Sequence, residues 1–254
     1  MLTDREADEI ARSAAEARKV KFRDVDLARY YDPPADTCYP LEYAFHLLGD
    51  IHDRVVLDLG CGSGEEAIPL RQRGAHVIGI DISPDLISLA QQRVQRYGLQ
   101  ADLRVGSAYN TELPDKSVDV IFCMALLHHL EIVRAKNEML RILKPTGLII
   151  VQEPIRLSWS MKQLRRLFPK GEDVSDGEYP LNSQQLHELV DGLQLLVSRN
   201  FRTPLVPVLL RAFHGPPAEH KIWSRDAWIL QHFTFLEHFA TVRVMALRPQ
   251  QNAA

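Results

Sequence analysis

The chain has no Lys- or Arg-rich block. Its 30 Lys and Arg against 33 Asp and Glu leave a formal net charge of −3, so it shows no electrostatic footprint for DNA, RNA or an anionic membrane, and small molecules are the expected partners. Cysteine is scarce: Cys38, Cys61 and Cys123 stand without paired spacing, which argues against a disulfide framework and a structural zinc site and fits a reducing cytoplasm. No apolar run approaches the roughly 18 residues of a membrane span. The opening MLTDREADEIARSAAEARK is charged and helical in pattern, without the apolar core of a signal peptide. The expectation is a soluble, cytoplasmic protein. Internal repeats and low-complexity tracts are missing too. With 254 residues, 46% of them hydrophobic, the chain can bury one large α/β core with an appendage.

What the sequence does have is an alternation of short apolar runs with helical patterns. Strands are predicted at Arg54–Leu59, His76–Ile80, Ala101–Val105, Asp119–Cys123 and Gly147–Gln152, with helices between them, one ending near Gln72 and one over about Glu131–Leu143. The helix after the second strand is punctuated by Ser83 as N-cap, Pro84 at its first position and Gly98 past its last turn. Strands joined by helical crossovers imply a parallel sheet covered on both faces, with ligands at the carboxyl ends of the strands. Beyond Glu153 the pattern predicts a helix over Leu181–Val190, capped by Asn182 or Ser183 and stopped at Gly192, and strands at Gln194–Phe201 and Thr241–Leu247. The Pro-containing stretch between those strands, with an amphipathic helix near Ser224–Phe233, is read as a cap insertion at about 202–240. Residues 1–50 are expected to form an N-terminal helical lid, and 51–254 the main domain with that cap.

The strand-to-helix turn Asp58-Leu59-Gly60-Cys61-Gly62-Ser63-Gly64 spells D-x-G-x-G-x-G. It is neither the G-x-G-x-x-G of a dinucleotide fold nor a P-loop, because no Lys follows. Residues without Cβ let a ligand come close to the backbone, and tight turns use glycine for structural reasons as well. Asp81 ends the second strand, where a carboxylate can accept hydrogen bonds from both hydroxyls of a ribose; a carboxylate there also favours the positive end of the next helix. The pair His128 and His129 follows the fourth strand, and Glu153 ends the fifth. All three are candidate proton acceptors at the cleft, although adjacent histidines point in different directions and Glu153 could instead pair with an Arg such as Arg156. Neither the His pair nor the spacings His214/His220 and His232/His238 match a helix metal site, so no metal is expected.

Four segments in this order, VVLDLGCGSG, VIGIDISPDLI, LPDKSVDVIFCMALLHHL and MLRILKPTGLIIVQEP, resemble class I S-adenosylmethionine-dependent methyltransferases, and within them the small-molecule branch of ubiquinone and menaquinone type. The resemblance covers about Arg54 to Glu153. It implies a Rossmann-like, doubly wound seven-stranded sheet of order 3-2-1-4-5-7-6, strand 7 antiparallel, with RDAWILQHFTFLEHFATVRVMALRP as terminal helix, loop and seventh strand. It implies S-adenosylmethionine as cofactor and S-adenosylhomocysteine as product. Carried across position by position, Gly60, Gly62 and Gly64, with Cys61 between them, form the turn under the methionyl part, and Asp58 braces it. Asp81 binds the ribose, Ile82 packs on the adenine, the backbone at Ala108 meets the adenine edge, and Cys123 offers its carbonyl to the methionyl amine. Ser107 stands where the family usually has an acidic residue contacting the adenine amino group, and Thr146 replaces a glycine. Tyr30 or Tyr31 would touch the methionyl carboxylate, or simply pack.

The implied reaction moves an already activated methyl group, so alignment supplies most of the effect, about 7–11 kcal/mol. A base adds roughly 10²–10⁴-fold where a hydroxyl acceptor must lose its proton. Trp159, Phe168, Phe213, Trp223, Trp228, Phe233 and Phe235 suggest an apolar or aromatic metabolite as acceptor, methylated on O or N and less readily on C. Most of these rings are expected in the core. The other reading is a non-catalytic S-adenosylmethionine-binding sensor or partner subunit.

Overall fold

A computed structural model describes residues 4–20, 22, 24–155, 180–203 and 219–250. The apolar runs become strands β1 (Val55–Leu59), β2 (His76–Asp81), β3 (Asp102–Val105), β4 (Val118–Met124) and β5 (Leu143–Pro154), followed by β6 (Leu193–Phe201) and β7 (Val242–Pro249). They join in one seven-stranded sheet of order β3-β2-β1-β4-β5-β7-β6. The pairs among β1 to β5 are parallel, while β7 lies antiparallel to both β5 and β6. The implied sheet order and the reversed seventh strand are both observed.

Successive residues of a strand point to opposite faces, so each buried strand feeds two cores. Val56, Val77, Val120, Phe122, Ile150 and Val244 pack on one face under helices α3 (Pro40–Leu47), α4 (Ala67–Gln72) and α5 (Pro84–Arg96). Leu57, Ile80, Ile121, Cys123, Ile149 and Met245 point to the other, covered by α6 (Ile132–Ile142) and by α7 (Ser183–Val190). The helix starts follow local chemistry. Ser83 caps α5 by accepting from the Leu86 N–H, with Pro84 at the first turn. Asn182 and Gln185 form a reciprocal capping box at α7.

β5 is longer than its apolar run because its ends find partners: Leu143 pairs with Val118, and Pro154 with Val242. The N-terminal segment forms α1 (Asp4–Ala17), which packs on α5, and the short α2 (Ala28–Tyr31). The expected cap contributes α8 (Glu219–His232) and a 3₁₀ turn over Thr234–Phe239, while residues 204–218, with Phe213 and His214, lie outside the described residues, as do Trp159, Phe168 and Arg156. The described aromatics overturn the expectation of a buried stripe: Trp228, Phe233 and Phe235 are 54%, 44% and 65% exposed. Ile222, Asp226, Ala227 and Leu230 form the inward face of α8 instead, and Asp226 earns its place by accepting from the Thr203 backbone N–H at 3.0 Å. Among the described residues no helix is long and apolar enough to cross a membrane.

Candidate active site

The glycine turn leaves β1 with Gly60, Gly62 and Gly64 all at positive φ, the left-handed region that side chains avoid. Space is tight as well: a Cβ on Gly64 would stand 2.8 Å from the Ala90 Cβ of α5. The N–H groups of Gly60 and Cys61 donate to the Ile80 carbonyl at 2.8 and 3.1 Å, tying the turn to the end of β2. There the Asp81 carboxylate accepts from Gly62 N–H at 3.0 Å through Oδ2 and from Ser83 N–H at 2.9 Å through Oδ1. Each oxygen is fixed by one backbone donor and can accept again. Burial pushes the Asp81 pKa up, against these two bonds, which lower it.

Two further carboxylates lie beneath the turn. Asp58 is buried, its pKa raised well above the usual range by burial and then by Glu66 and Asp81. Its Oδ2 has no hydrogen-bond partner among the described residues, an unusual state for a buried oxygen. Glu66 is pushed up to about 7, again by burial first. Burial likewise raises the Cys61 and Cys123 thiols, so both sulfurs are inert packing groups rather than nucleophiles.

Beyond β4 the chain turns sharply at Ala125, whose φ is 53°, a conformation that costs a non-glycine residue about 1–3 kcal/mol. The turn aims the N–H groups of Leu126 and Leu127 at Glu153 Oε1, at 2.9 and 2.6 Å, and His128 Nδ1 lies 2.8 Å from Oε2. Glu153, expected to face the cleft, is therefore wholly buried beneath this loop, with its acceptors engaged by it. His128 is buried against Glu153, whereas His129 turns the other way, its Nδ1 3.4 Å from Glu9 Oε2 of α1.

These elements surround a cavity of about 200 Å³. Of the residues singled out in the sequence, Gly60, Asp81, Ile82, Ala108 and His129 line it. Asp58, Cys61, Gly62, Gly64, Ser107 and Cys123 stand outside that lining; Ala125 and Leu126, not Cys123, form its wall beyond β4. Tyr31 is 64% exposed and does not reach it, while Tyr30 packs on Phe45 with ring centroids 5.0 Å apart. The sequence reasoning missed Glu6, Glu9 and Ser13 of α1, together with Leu86 and Tyr109.

The residues fit a cationic nucleoside. Ile82, Leu86 and Ala108 offer apolar walls to a flat ring, Asp81 presents acceptors for vicinal hydroxyls, and the orphaned Asp58 oxygen beneath the turn suits a nearby ammonium. Among the described residues no Lys or Arg lines the cavity.

Residues 57–151 match a family model described as a methyltransferase domain. The ubiquinone biosynthesis O-methyltransferase of Alkalilimnicola ehrlichii is 29% identical over 161 residues, which are 59% of this chain and 64% of that protein, so the match spans less than two thirds of the relative. Among solved structures, the geranyl diphosphate C-methyltransferase of Streptomyces coelicolor, in complex with magnesium, geranyl diphosphate and S-adenosylhomocysteine, has a TM-score of 0.62 at 16% identity, covering 98% of this chain and 99% of that one. The cyclase SpnF has the same TM-score of 0.62 at 17% identity, with 98% and 97% covered; at such identities the likeness concerns the fold alone. Residues 57–151 thus match a methyltransferase domain in sequence, and the whole chain shares the fold of these solved proteins.

Proposed function

We propose that the protein transfers the methyl group of S-adenosylmethionine to an oxygen or nitrogen, less readily a carbon, of a small apolar or aromatic metabolite. The observation that carries this reading is the Asp81 carboxylate, clamped by two backbone N–H groups at the rim of a cavity whose other side holds His129. The O-methyltransferase relative favours an oxygen as the acceptor atom.

When bound, the cofactor supplies a methyl group already activated by its sulfonium. The chain's share is positioning. Asp81 holds the ribose hydroxyls, the glycine turn lets the methionyl part rest on bare backbone, and Ile82 with Ala108 seats the ring. His129 accepts the acceptor's proton, while Glu9 orients its imidazole and balances the charge that proton uptake creates. Glu153 and His128 act through the loop: by holding the N–H groups of Leu126 and Leu127 they fix the cavity wall that precedes His129.

Titration calorimetry with S-adenosylmethionine and S-adenosylhomocysteine, followed by transfer of labelled methyl to a panel of catechols, phenols and aryl amines, tests the reading. Binding of both nucleosides and product on a hydroxyl or amine are expected; the absence of binding defeats it. The second reading, a binding protein without turnover, draws on the burial of His128 and Glu153 away from the cavity. It predicts tight binding with no methylated product across the whole panel.

A further inference from the structure

We infer that the chain carries a second ligand site, on the β6–β7 part of the sheet, which takes a small carboxylic acid with an apolar body and holds its carboxylate end-on by the Arg243 guanidinium. This site stands apart from the proposed nucleoside cavity and shares no lining residue with it among the described residues.

The site is a cavity of about 420 Å³, a size usual for small-molecule pockets. Its floor is sheet. Arg243 and Met245 of β7 pair with Asn200 and Ser198 of β6, and all four line the cavity. In an unbroken strand Ser198 and Asn200 would point away from the face that Leu195 occupies. The register of β6 shifts between Leu195 and Val197, and the extra residue brings Leu195, Ser198 and Asn200 to the same cavity. Bulges commonly re-aim side chains in this way beside functional sites. Leu186 and Val190 of α7, with Ile155 past β5, supply apolar walls.

Arg243 is placed with direction. Its Nε donates to Asn200 Oδ1 at 2.9 Å, and Asn200 Nδ2 donates to Glu237 Oε2 at 3.0 Å. The amide thus stands between the two opposite charges. Among the described residues Asn200 is the guanidinium's one side-chain partner, so the outer edge, Nη1 and Nη2, keeps its donors for something else. Burial pulls the Arg243 pKa down and Glu237 raises it, the mark of a cation whose need for negative charge is only partly met. A guanidinium edge and a carboxylate are both planar and form two parallel hydrogen bonds. A phosphate dianion fits less well: it would meet Glu237 with twice the charge, and among the described residues the lining offers no Lys and no second Arg to offset it.

The test uses the full chain with isotope-labelled methionine methyl groups, read by nuclear magnetic resonance. Met245 is the one described methionine that lines the cavity, so its methyl signal reports on this site. The titrants are hydrocinnamate, hydrocinnamide, which keeps the shape without the charge, and inorganic phosphate. Hydrocinnamate is expected to shift the Met245 signal saturably and to bind at least tenfold more tightly than the amide, and phosphate at equal concentration should not displace it. Arg243→Gln should cost hydrocinnamate about tenfold, the worth of hydrogen bonds to a charged group, and leave the amide within twofold. Should Arg243→Gln not fold, Asn200→Ala carries the test: it frees the guanidinium from its anchor and should weaken the acid severalfold without touching the amide. A Met245 signal unmoved by hydrocinnamate, equal affinity for acid and amide, displacement by phosphate, or acid binding unaltered in the folded variant would each overturn the inference. Failure of S-adenosylhomocysteine to bind the same sample would defeat the proposed function and leave this site standing.

Discussion

Replacing Asp81 is the most direct perturbation of the cofactor site. Its two oxygens each accept one backbone N–H, from Gly62 and from Ser83, leaving one strong acceptor direction per oxygen for a ribose hydroxyl. Two hydrogen bonds to a charged group contribute about 1.5–3 kcal/mol each, a nominal 3–6 kcal/mol. Burial already raises the Asp81 pKa, so holding the charge is itself costly and the lower end applies. Roughly 3 kcal/mol corresponds to a factor of about 150 in Kd. Asp81→Ala and Asp81→Asn should therefore both weaken S-adenosylhomocysteine by about two orders of magnitude in calorimetry. Stability should change by no more than about 2 kcal/mol, because the backbone N–H groups that lose their acceptor are offset by relief of a buried charge. An analogue lacking the 2′ and 3′ hydroxyls supplies the internal control: it should bind wild type and variants with nearly equal affinity. A variant that melts like the wild type and binds the natural nucleoside within threefold of it would refute the ribose assignment.

Other perturbations separate the remaining parts of the site. Glu66 titrates at about 7 when folded, against an ordinary carboxylate value of 4.5, so its contribution to stability is full below pH 4.5 and is lost as pH rises through 7. The loss is about 3 kcal/mol by linkage. Glu66→Gln should flatten the decline of the unliganded protein's urea midpoint between pH 5 and 8, and an unchanged decline would absolve Glu66. Gly64→Ala forces a side chain into φ +75° and against Ala90; a loss of about 2 kcal/mol or more in denaturant unfolding is expected. Glu153→Ala strands two N–H groups of the loop after β4, at about 1–3 kcal/mol each, and should lower the Tm and disorder that loop by hydrogen exchange. His129→Ala should cut kcat by 10²-fold or more on a phenolic acceptor while leaving nucleoside Kd within threefold, and unimpaired turnover would return His129 to a structural role.

The parallel half of the fold was legible because its signals are local. Each apolar run is short, each is followed by a helical pattern, and Ser83 with Pro84 or Asn182 with Gln185 announce helix starts within a few residues. The order of the strands came from resemblance, since periodicity cannot say which edges meet. Contacts across long separations stayed hidden. The extent of β5 depends on Val118 and Val242 as partners, and the meeting of Glu6 with Ser107 spans 101 residues. Glu153 was misjudged for a related reason: its place at a strand end suggested the cleft, but the direction of its side chain follows from a kink at Ala125, and nothing in the local sequence announces a left-handed alanine. The exposed Trp228 and Phe235 were misjudged because a helical spacing of aromatics shows that they share a face, not that the face is covered.

The electrostatics of the cavity carry the choice among nucleotides further than its shape does. Glu6, Glu9 and Asp81 line it, Asp58 and Glu66 lie near the glycine turn, and among the described residues no Lys or Arg lines the wall. Like charges a few ångströms apart interact by several kcal/mol at the effective dielectric of a protein interior. A pyrophosphate brought over this turn would meet the Asp81 carboxylate at the place where dinucleotide folds supply bare N–H groups to attract it. Here the Gly62 N–H is already given to Asp81, which removes one of the donors a phosphate would need. A nucleoside carrying a sulfonium and an ammonium meets the opposite field, and its charge returns the raised carboxylates toward their ionised form. The acidic groups around the cavity thus disfavour phosphates and favour a cation. On the proposed reading, the acids that would repel the phosphates of NAD or ATP are the ones that would attract a sulfonium nucleoside, and removing them one at a time should weaken both effects together.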